Sequence, residues 1–514
     1  MTTQDMSWFR ELALVIVSWS AVLFLAAVGC LAFYILVLYI KDSRQHEHTL
    51  LHNYPVIGRF RYMFEHMGEF FRQYFFAQDR EELPFNRALR SWVYRAAKNV
   101  DRTLAFGSTR PLNQPGEIIF LNCLFPTLNE EIQDSAPITL GRGYVRTPYT
   151  ANSFFNISGM SYGALSAPAV EALSLGAKKA GVWMNTGEGG LSEYHLKGGC
   201  DIVFQIGTAK YGVRDENGKL SDKRLKELAE IEQVRMFEIK LSQGAKPGKG
   251  GMLPGDKVSA EIACIRGIPQ GEDSISPNGH SEVRNLDTLL DMIQHLREVT
   301  GKPVGFKAVI GQSAWLDELM VNIHRRGLDA APDFITIDSA DGGTGAAPQA
   351  LMDFVGLPIQ RSLPLVVDKL NEYGLRERIK IITSGKLITP SSVAWALTVG
   401  ADFVVTARGF MFALGCIQAL QCNKNSCPTG ITTHNPELQK GLHPELKSVR
   451  VQNYAENMRH DVAMLAHSCG LQEPRQLNRS HAQIINDRGI PEPLEQTYPM
   501  IATREEYIIG RSQN

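Results

Sequence analysis

At 514 residues, with 53 basic against 54 acidic side chains and a net charge of -1, the chain carries no electrostatic footprint for nucleic acid. Its 8 cysteines are too sparse for a disulfide scaffold, and three of them lie between Cys416 and Cys427, which points to a reducing compartment. A hydrophobic content of 44% is ordinary for a globular protein and leaves the length open to one barrel-sized domain with additions.

From Leu12 to Ile40 the chain reads LALVIVSWSAVLFLAAVGCLAFYILVLYI without a charge, well beyond the roughly 20 residues that a helix needs to cross a bilayer. The stretch is too long for the apolar part of a signal peptide and lacks a basic leader, so a spanning helix is expected. Lys41, Arg44, Arg59 and Arg61 follow it, and the positive-inside rule then places the C-terminal body in the cytoplasm of a single-pass membrane protein. The expected organisation is a transmembrane anchor over 1–42, a helical collar over 43–150, a barrel over 151–440 and a helical extension over 441–514. In the collar, residues 59–76 alternate Phe and Tyr with Arg, a pattern that also suits a helix lying at a membrane surface.

From residue 151 short apolar runs alternate with helical stretches, which predicts parallel βαβ units. The strands expected are SFFNIS (153–158), VWMNT (182–186), DIVFQI (201–206), MFEIKL (236–241), VGFKAVI (304–310), DFITID (333–338), KIIT (380–383) and DFVVT (402–406). Eight such strands predict an α/β fold, a (β/α)8 TIM barrel preceded by one N-terminal transmembrane helix and a mainly helical collar. Glycine-rich polar sequences follow almost every strand, and a barrel gathers those loops on its C-terminal face, where active sites lie.

Two late loops, Ser384-Gly385-Lys386 and Ala407-Arg408-Gly409, follow strands seven and eight, the usual place for a barrel phosphate cradle. No GxxxxGK[ST] or strand-linked GxGxxG is present, so ATP and dinucleotide sites are not supported. Asp341-Gly342-Gly343-Thr344-Gly345 adds a donor-rich loop after strand six. Lys307 sits inside an otherwise apolar strand and needs an anionic or polar partner, because an unpaired buried ammonium is costly; pointing inward, it would stabilise negative charge on a reduced cofactor. Cys416, Cys422 and Cys427 lie close in sequence within a polar loop, and soft thiolates so near one another select iron–sulfur or zinc. Three ligands favour a three-iron cluster, or a four-iron cluster with an outside ligand. His434 keeps zinc open.

These residues carry a resemblance. The runs GMSYGALS (159–166), NTGEGG (185–190), IKLSQGAKPGKGGMLPGDKV (239–258), DGGTGAAP (341–348) and GCIQALQCNKNSCPTGITT (415–433) are similar to the FMN-binding synthase domain of glutamate synthase. The whole chain resembles the short FMN-binding glutamate synthase-like proteins. The resemblance implies FMN and a three-iron, four-sulfur cluster held by Cys416, Cys422 and Cys427. It implies Met160, Ser161, Gln205, Lys307, Gly342, Gly343, Gly385 and Gly409 around the flavin, and Glu188, Lys240, Gln243 and Lys246 near a keto-acid substrate. Glu188 is the proton donor or ammonia guide that it suggests, and Lys307 the second catalytic group. The implied reaction is reduction of 2-iminoglutarate, formed from 2-oxoglutarate and ammonia, to glutamate. Glutaminase and NADPH regions of the larger enzymes have no counterpart in this sequence, so the electrons are expected from a partner, ferredoxin, a separate reductase or quinone. Where the family carries Asp-Gly-Gly, this chain has Ser384-Gly385-Lys386, and Lys210 replaces an arginine; both changes leave the substrate open. The alternative reading is a membrane-tethered FMN and iron–sulfur electron-transfer protein acting on another substrate or on quinone.

Overall fold

The computed structural model describes residues 3–101 and 103–509, in two compact units that meet in sequence between Arg87 and Ala88. The first unit opens with α1 (Thr3–Arg44). Its stretch from Arg10 to Arg44 is long and apolar enough to cross a membrane, and the most apolar part of that stretch is not buried against protein. A single helical turn, Thr49–Asn53, leads into α2 (Ile57–Phe71), and the wider turn Arg72–Phe76 extends it. Next comes α3 (Arg87–Lys98).

The eight predicted strands all form. They are β1 (Phe155–Ile157), β2 (Met184–Asn185), β3 (Ile202–Ile206), β4 (Val234–Lys240), β5 (Val304–Ala308), β6 (Phe334–Asp338), β7 (Lys380–Ser384) and β8 (Phe403–Thr406). They pair in parallel and in sequence order, with β8 closing onto β1. Helices cover the outside and side chains fill the inside, so a strand here has no wet face; that is why these runs are almost continuously apolar rather than alternating.

Among the outer helices, α4 (Ala167–Ala180) follows β1, α5 (Arg408–Leu414) follows β8, and α6 (Pro444–Ser468) packs across both. A Cβ built on Gly176 of α4 would stand 2.4 Å from Val451 Cβ of α6, so this approach of two backbones requires glycine. The inner face of α3 is tied to α6 by Asn453 and Asn457, whose amides donate to the carbonyls of Ala97 (3.0 Å) and Ala96 (2.8 Å).

Residues 101–150 depart from the expected collar. The described part of this segment holds no α-helix; Pro111, Pro115, Pro126, Pro137 and Pro148, with several glycines, break the chain into extended pieces and turns. Ile118–Phe120 pairs antiparallel with Ala482–Ile485, so the extension after 440 is not purely helical either. A hairpin of Ile138–Leu140 and Tyr149–Ala151 supplies Leu140, Tyr149 and Ala151 to a core with Trp183, Phe334, Ile382 and Phe403. Trp183, Phe334 and Phe403 stand at the N-terminal ends of strands, so the hairpin forms the floor of the barrel.

Candidate active site

Opposite that floor, the strand ends open into a cleft lined by Gln205 of β3, Lys240 of β4, Lys307 of β5, Asp338 of β6, Ser384 of β7 and Thr406 of β8. The loops add Met160 and Ser161 after β1, Glu188 after β2, Gln243 and Lys246 after β4, Gly342 and Gly343 after β6, and Gly385 after β7. Residues scattered over more than two hundred positions of sequence thus meet on one surface. Gly409 does not line it. It lies in the first turn of α5, where a Cβ would come within 2.2 Å of the Tyr454 hydroxyl, and its place is explained by helix packing.

Two ion pairs organise the cleft. Lys307 Nζ lies 3.2 Å from Asp338 Oδ2, whose carboxylate also accepts from Gly244 N (2.8 Å) and from the Ser384 hydroxyl. Burial works to lower the Lys307 pKa, but Asp338 and Glu238 outweigh it and hold the ammonium above the usual lysine range. Burial likewise works to raise Asp338, and Lys307, Ser384 and the Gly244 N–H overcome it, so the carboxyl lies below its ordinary range. In the second pair Lys240 Nζ is 2.8 Å from Glu188 Oε2 and also donates to Gln243, whose amide reaches Thr344 Oγ1 at 3.1 Å. For Glu188 burial raises the pKa, while Lys240, Lys246 and Arg266 together bring it below the usual carboxylate range. Lys246 is pushed down by burial, with Glu188 acting in the opposite sense.

Sequence reasoning missed three of these charges. Glu238, in the middle of β4, is buried and accepts from Asn185 Nδ2 (2.9 Å), Gln205 Nε2 (2.7 Å) and Thr336 Oγ1 (2.5 Å). Asp338 and Arg266 also line or back the cleft. A charge inside an apolar run, the signal that singled out Lys307, was present in FEIK and FITID as well.

The glycine loops are built around Ser339. A Cβ on Gly244 would lie 2.1 Å from Ser339 O, and one on Gly385, at φ +127°, would lie 2.1 Å from Ser339 Cβ. Gly385→Ala is therefore expected to destabilise the protein by about 2–4 kcal/mol, since it combines backbone strain with a clash against a packed side chain. Urea unfolding of the detergent-purified variant measures this; a change below about 0.5 kcal/mol would show that the loop yields. Lys386 Nζ lies 2.8 Å from Asp341 Oδ2, and Arg408 donates to the Thr344 carbonyl, so both cations sit on the same rim as the glycines.

The cysteine loop leaves α5 and turns sharply, with Gln418, Leu420 and Asn425 all at positive φ (59°, 56° and 53°). Cys416 Sγ accepts from Gln418 N at 3.4 Å, Cys422 Sγ lies 3.6 Å from Arg408 Nη1 and lines the cleft, and Cys427 Sγ lies 3.4 Å from Thr429 Oγ1. Burial pushes the Cys416 thiol up to about 11, and charge on Cys422 and Cys427 adds to the shift. Among the described residues no three His, Cys, Asp or Glu side chains form a site for a single metal ion. His434 is turned away to the Gly163 carbonyl (Nε2 to O 2.8 Å).

The sequence profile of the conserved region in glutamate synthase matches residues 125–472. The chain is 43% identical over 491 residues to the glutamate synthase large subunit-like protein YerD of Bacillus subtilis, covering 88% of this chain and 93% of that protein. It is 37% identical over 317 residues to the archaeal glutamate synthase [NADPH] of Methanocaldococcus jannaschii, covering 61% of this chain but only 58% of that protein. A glutamate synthase large subunit-like protein of Rhizobium meliloti is 29% identical, over 71% of this chain and 83% of that one. A profile match across most of the chain, with its motifs brought together on one barrel face, shows that this chain belongs to the glutamate synthase family of flavin-dependent oxidoreductases.

Proposed function

We propose that this chain is a membrane-anchored, FMN-dependent glutamate synthase that forms glutamate from 2-oxoglutarate and ammonia, with electrons delivered through an iron–sulfur cluster. The observation that carries the reading is the pairing, in one cleft, of two lysines for a dicarboxylate with a glycine-walled recess that holds a third. Lys240 and Lys246 present positive charge beside Glu188, while Lys307, Gly342, Gly343 and Gly385 line the same space.

The residues present fit FMN. Gly342, Gly343 and Gly385 wall the recess with backbone and no side chain, Lys386 and Arg408 supply charge for a phosphate, and Lys307 supplies charge at the barrel centre. When bound, FMN would supply the reducing electron pair for the C=N bond of 2-iminoglutarate. In the chain itself, Lys240 and Lys246 grip the substrate carboxylates through charge-assisted bonds. Glu188, kept ionised by its neighbours, takes a proton from ammonium, which frees ammonia to attack the keto carbon as its oxygen leaves as water, and returns that proton to the amine nitrogen. Lys307 balances negative charge in the recess, and Gln205, its amide N–H fixed by Glu238, would help to hold the cofactor from the same cleft.

The residues also fit a cluster. Three thiols in one loop after β8, with Arg408 Nη1 3.6 Å from Cys422 Sγ, offer the soft ligands and the nearby positive charge that an iron–sulfur group would need. Cys416, Cys422 and Cys427 are its ligands, and a ferredoxin, a separate reductase or quinone is the electron source. The α1 helix spans the bilayer with the C-terminal body in the cytoplasm.

An anaerobic assay tests the reading. Protein of confirmed flavin and iron content is reduced artificially and given 2-oxoglutarate with ammonium, and flavin reoxidation and glutamate are followed together. Glutamate in proportion to flavin oxidised is expected; reoxidation with no glutamate would move the substrate elsewhere.

Two further outcomes are expected. Lys240→Ala removes one charge-assisted bond, worth about 1.5–3 kcal/mol, so keto-acid affinity falls roughly tenfold to a hundredfold while FMN stays bound. Titration of the oxidised enzyme with 2-oxoglutarate measures it, and unaltered affinity would retire the role. Lys246 binds an anion only when charged, and its pKa is depressed from the ordinary 10.5. Affinity is therefore expected to fall as pH rises through that depressed value, before an ordinary lysine would deprotonate. Lys246→Arg moves this alkaline limb upward; a limb at the same pH in the variant would assign it to another group.

A further inference from the structure

The cleft makes no use of α2, yet α2 has a pronounced surface. Ile57, Phe60, Phe64, Met67 and Phe71 recur at spacings of three and four and share one stripe. All are exposed, Phe60 at 53% and Phe64 at 62%, and the following turn adds Phe75 at 74% and Phe76 at 76%. Arg59, Arg61 and Glu65 occupy other faces, with Arg61 and Glu65 paired at 2.9 Å. A contiguous aromatic stripe of this kind marks a binding surface rather than a wetted one.

The corner between α1 and α2 indicates what covers it. Asp42, in the last turn of α1, accepts from Arg59 Nε at 2.8 Å and from Val56 N at 3.0 Å, so the first turn of α2 is tied to the point where the apolar stretch of α1 ends. Gln45 braces the same corner, accepting from His48 N at 2.7 Å and donating to the carbonyl of Asp42 at 3.1 Å. Val56 is held at φ +65°, a conformation a β-branched residue adopts only when its surroundings impose it. The Cβ position of Gly58 lies 3.1 Å from the Leu50 carbonyl, so the two short arms of the turn pack against each other. Lys41 and Arg44 lie in that last turn of α1, the level at which basic residues meet lipid headgroups. A helix bonded to this level starts at headgroup depth.

We propose that α2 lies along the headgroup surface of the bilayer with its phenylalanine stripe in the acyl boundary, forming with α1 a two-part lipid anchor. This rests on the reading of α1 as a membrane span. The partner is the lipid surface, recognised through aromatic burial and flanking arginines, rather than a second copy of the chain.

The test uses full-length holoprotein in vesicles of phosphatidylethanolamine and phosphatidylglycerol, with Cys123 and Cys264 changed to Ser. Nitroxide spin labels are placed at native Cys30 of α1 or, with Cys30 also changed to Ser, at Phe60→Cys, Phe64→Cys, Phe71→Cys, Arg61→Cys and Glu65→Cys. Collision with oxygen, which partitions into lipid, is compared with collision with an aqueous nickel chelate. Labels at 60, 64 and 71 are expected to favour oxygen over nickel by about tenfold relative to labels at 61 and 65, and Cys30 to be lipid-exposed as well. Nickel access at 60, 64 and 71 with Cys30 in lipid would overturn the α2 proposal and leave the span standing. Low access to both reagents at the stripe would show protein covering it and would also overturn the proposal. Nickel access at Cys30 would remove the span, and the proposal with it.

Discussion

Replacing Lys307 with methionine is expected to depress the flavin midpoint potential and slow flavin reduction by roughly 10²–10³-fold, the scale found when a charge-stabilising group is removed from a dry site. Lys307 is the buried cation between Asp338, at 3.2 Å, and the inner carboxylate Glu238. Methionine keeps the length of the side chain and removes the charge. Two carboxylates are then left unbalanced beneath the cofactor, so added electron density there meets negative rather than positive charge. Breaking a buried pair by removing one partner also costs about 3–5 kcal/mol of stability, so the variant should unfold at lower denaturant. Spectroelectrochemical titration separates the two effects. An unchanged potential in a folded, flavin-loaded variant would show that Lys307 only neutralises its two neighbours.

Changing Cys422 to serine should empty the cysteine loop of iron. Cys422 is the thiol of the three that lines the cleft, and Arg408 Nη1 lies 3.6 Å from its sulfur. An alcohol is a hard, weakly acidic ligand and does not replace a thiolate toward iron–sulfur. Iron and acid-labile sulfide are expected to fall to background, the broad visible absorbance of a cluster to disappear, and reduction by an external one-electron donor to become slow while FMN stays bound. Unchanged iron content would sink the cluster assignment and return the three cysteines to loop packing.

The strands were legible because each is buried on both faces, so runs such as FITID and FVVT declare themselves by composition. Lys307 was legible for the converse reason, as a charge where none is comfortable. Glu238 and Asp338 carried that same signal and went unread, since the two acids gain meaning only beside a cation, and the barrel register is what brings them together. In that register Gln205 stands opposite Glu238 and Thr336 opposite Lys307, pairings between strands that no single run of sequence contains. Gly409 is ambiguous for a related reason: glycine after a strand serves a phosphate or a neighbouring helix equally well, and the Tyr454 hydroxyl that excludes a Cβ there lies on α6, 45 residues later in sequence. Residues 101–150 were expected to continue the helical collar, whereas their prolines suit extended chain, and their partners are distant in sequence: Ile118–Phe120 pairs with Ala482–Ile485, and the 138–151 hairpin packs on the barrel core.

The hairpin of residues 138–151 has a consequence for anyone who would cut this protein apart. Its Leu140 and Tyr149 fill the end of the barrel that the strands leave open, beside Trp183 and Phe403. A fragment trimmed to begin at the first barrel strand would keep every residue of the cleft and still be a tube without a stopper. Water would enter from below and reach the carboxylate and ammonium groups that the cleft keeps dry. The transplantable module, for engineering or for crystallisation without the apolar α1 helix, is therefore one that starts upstream of Ile138, and the hairpin travels with the chemistry although it touches none of it.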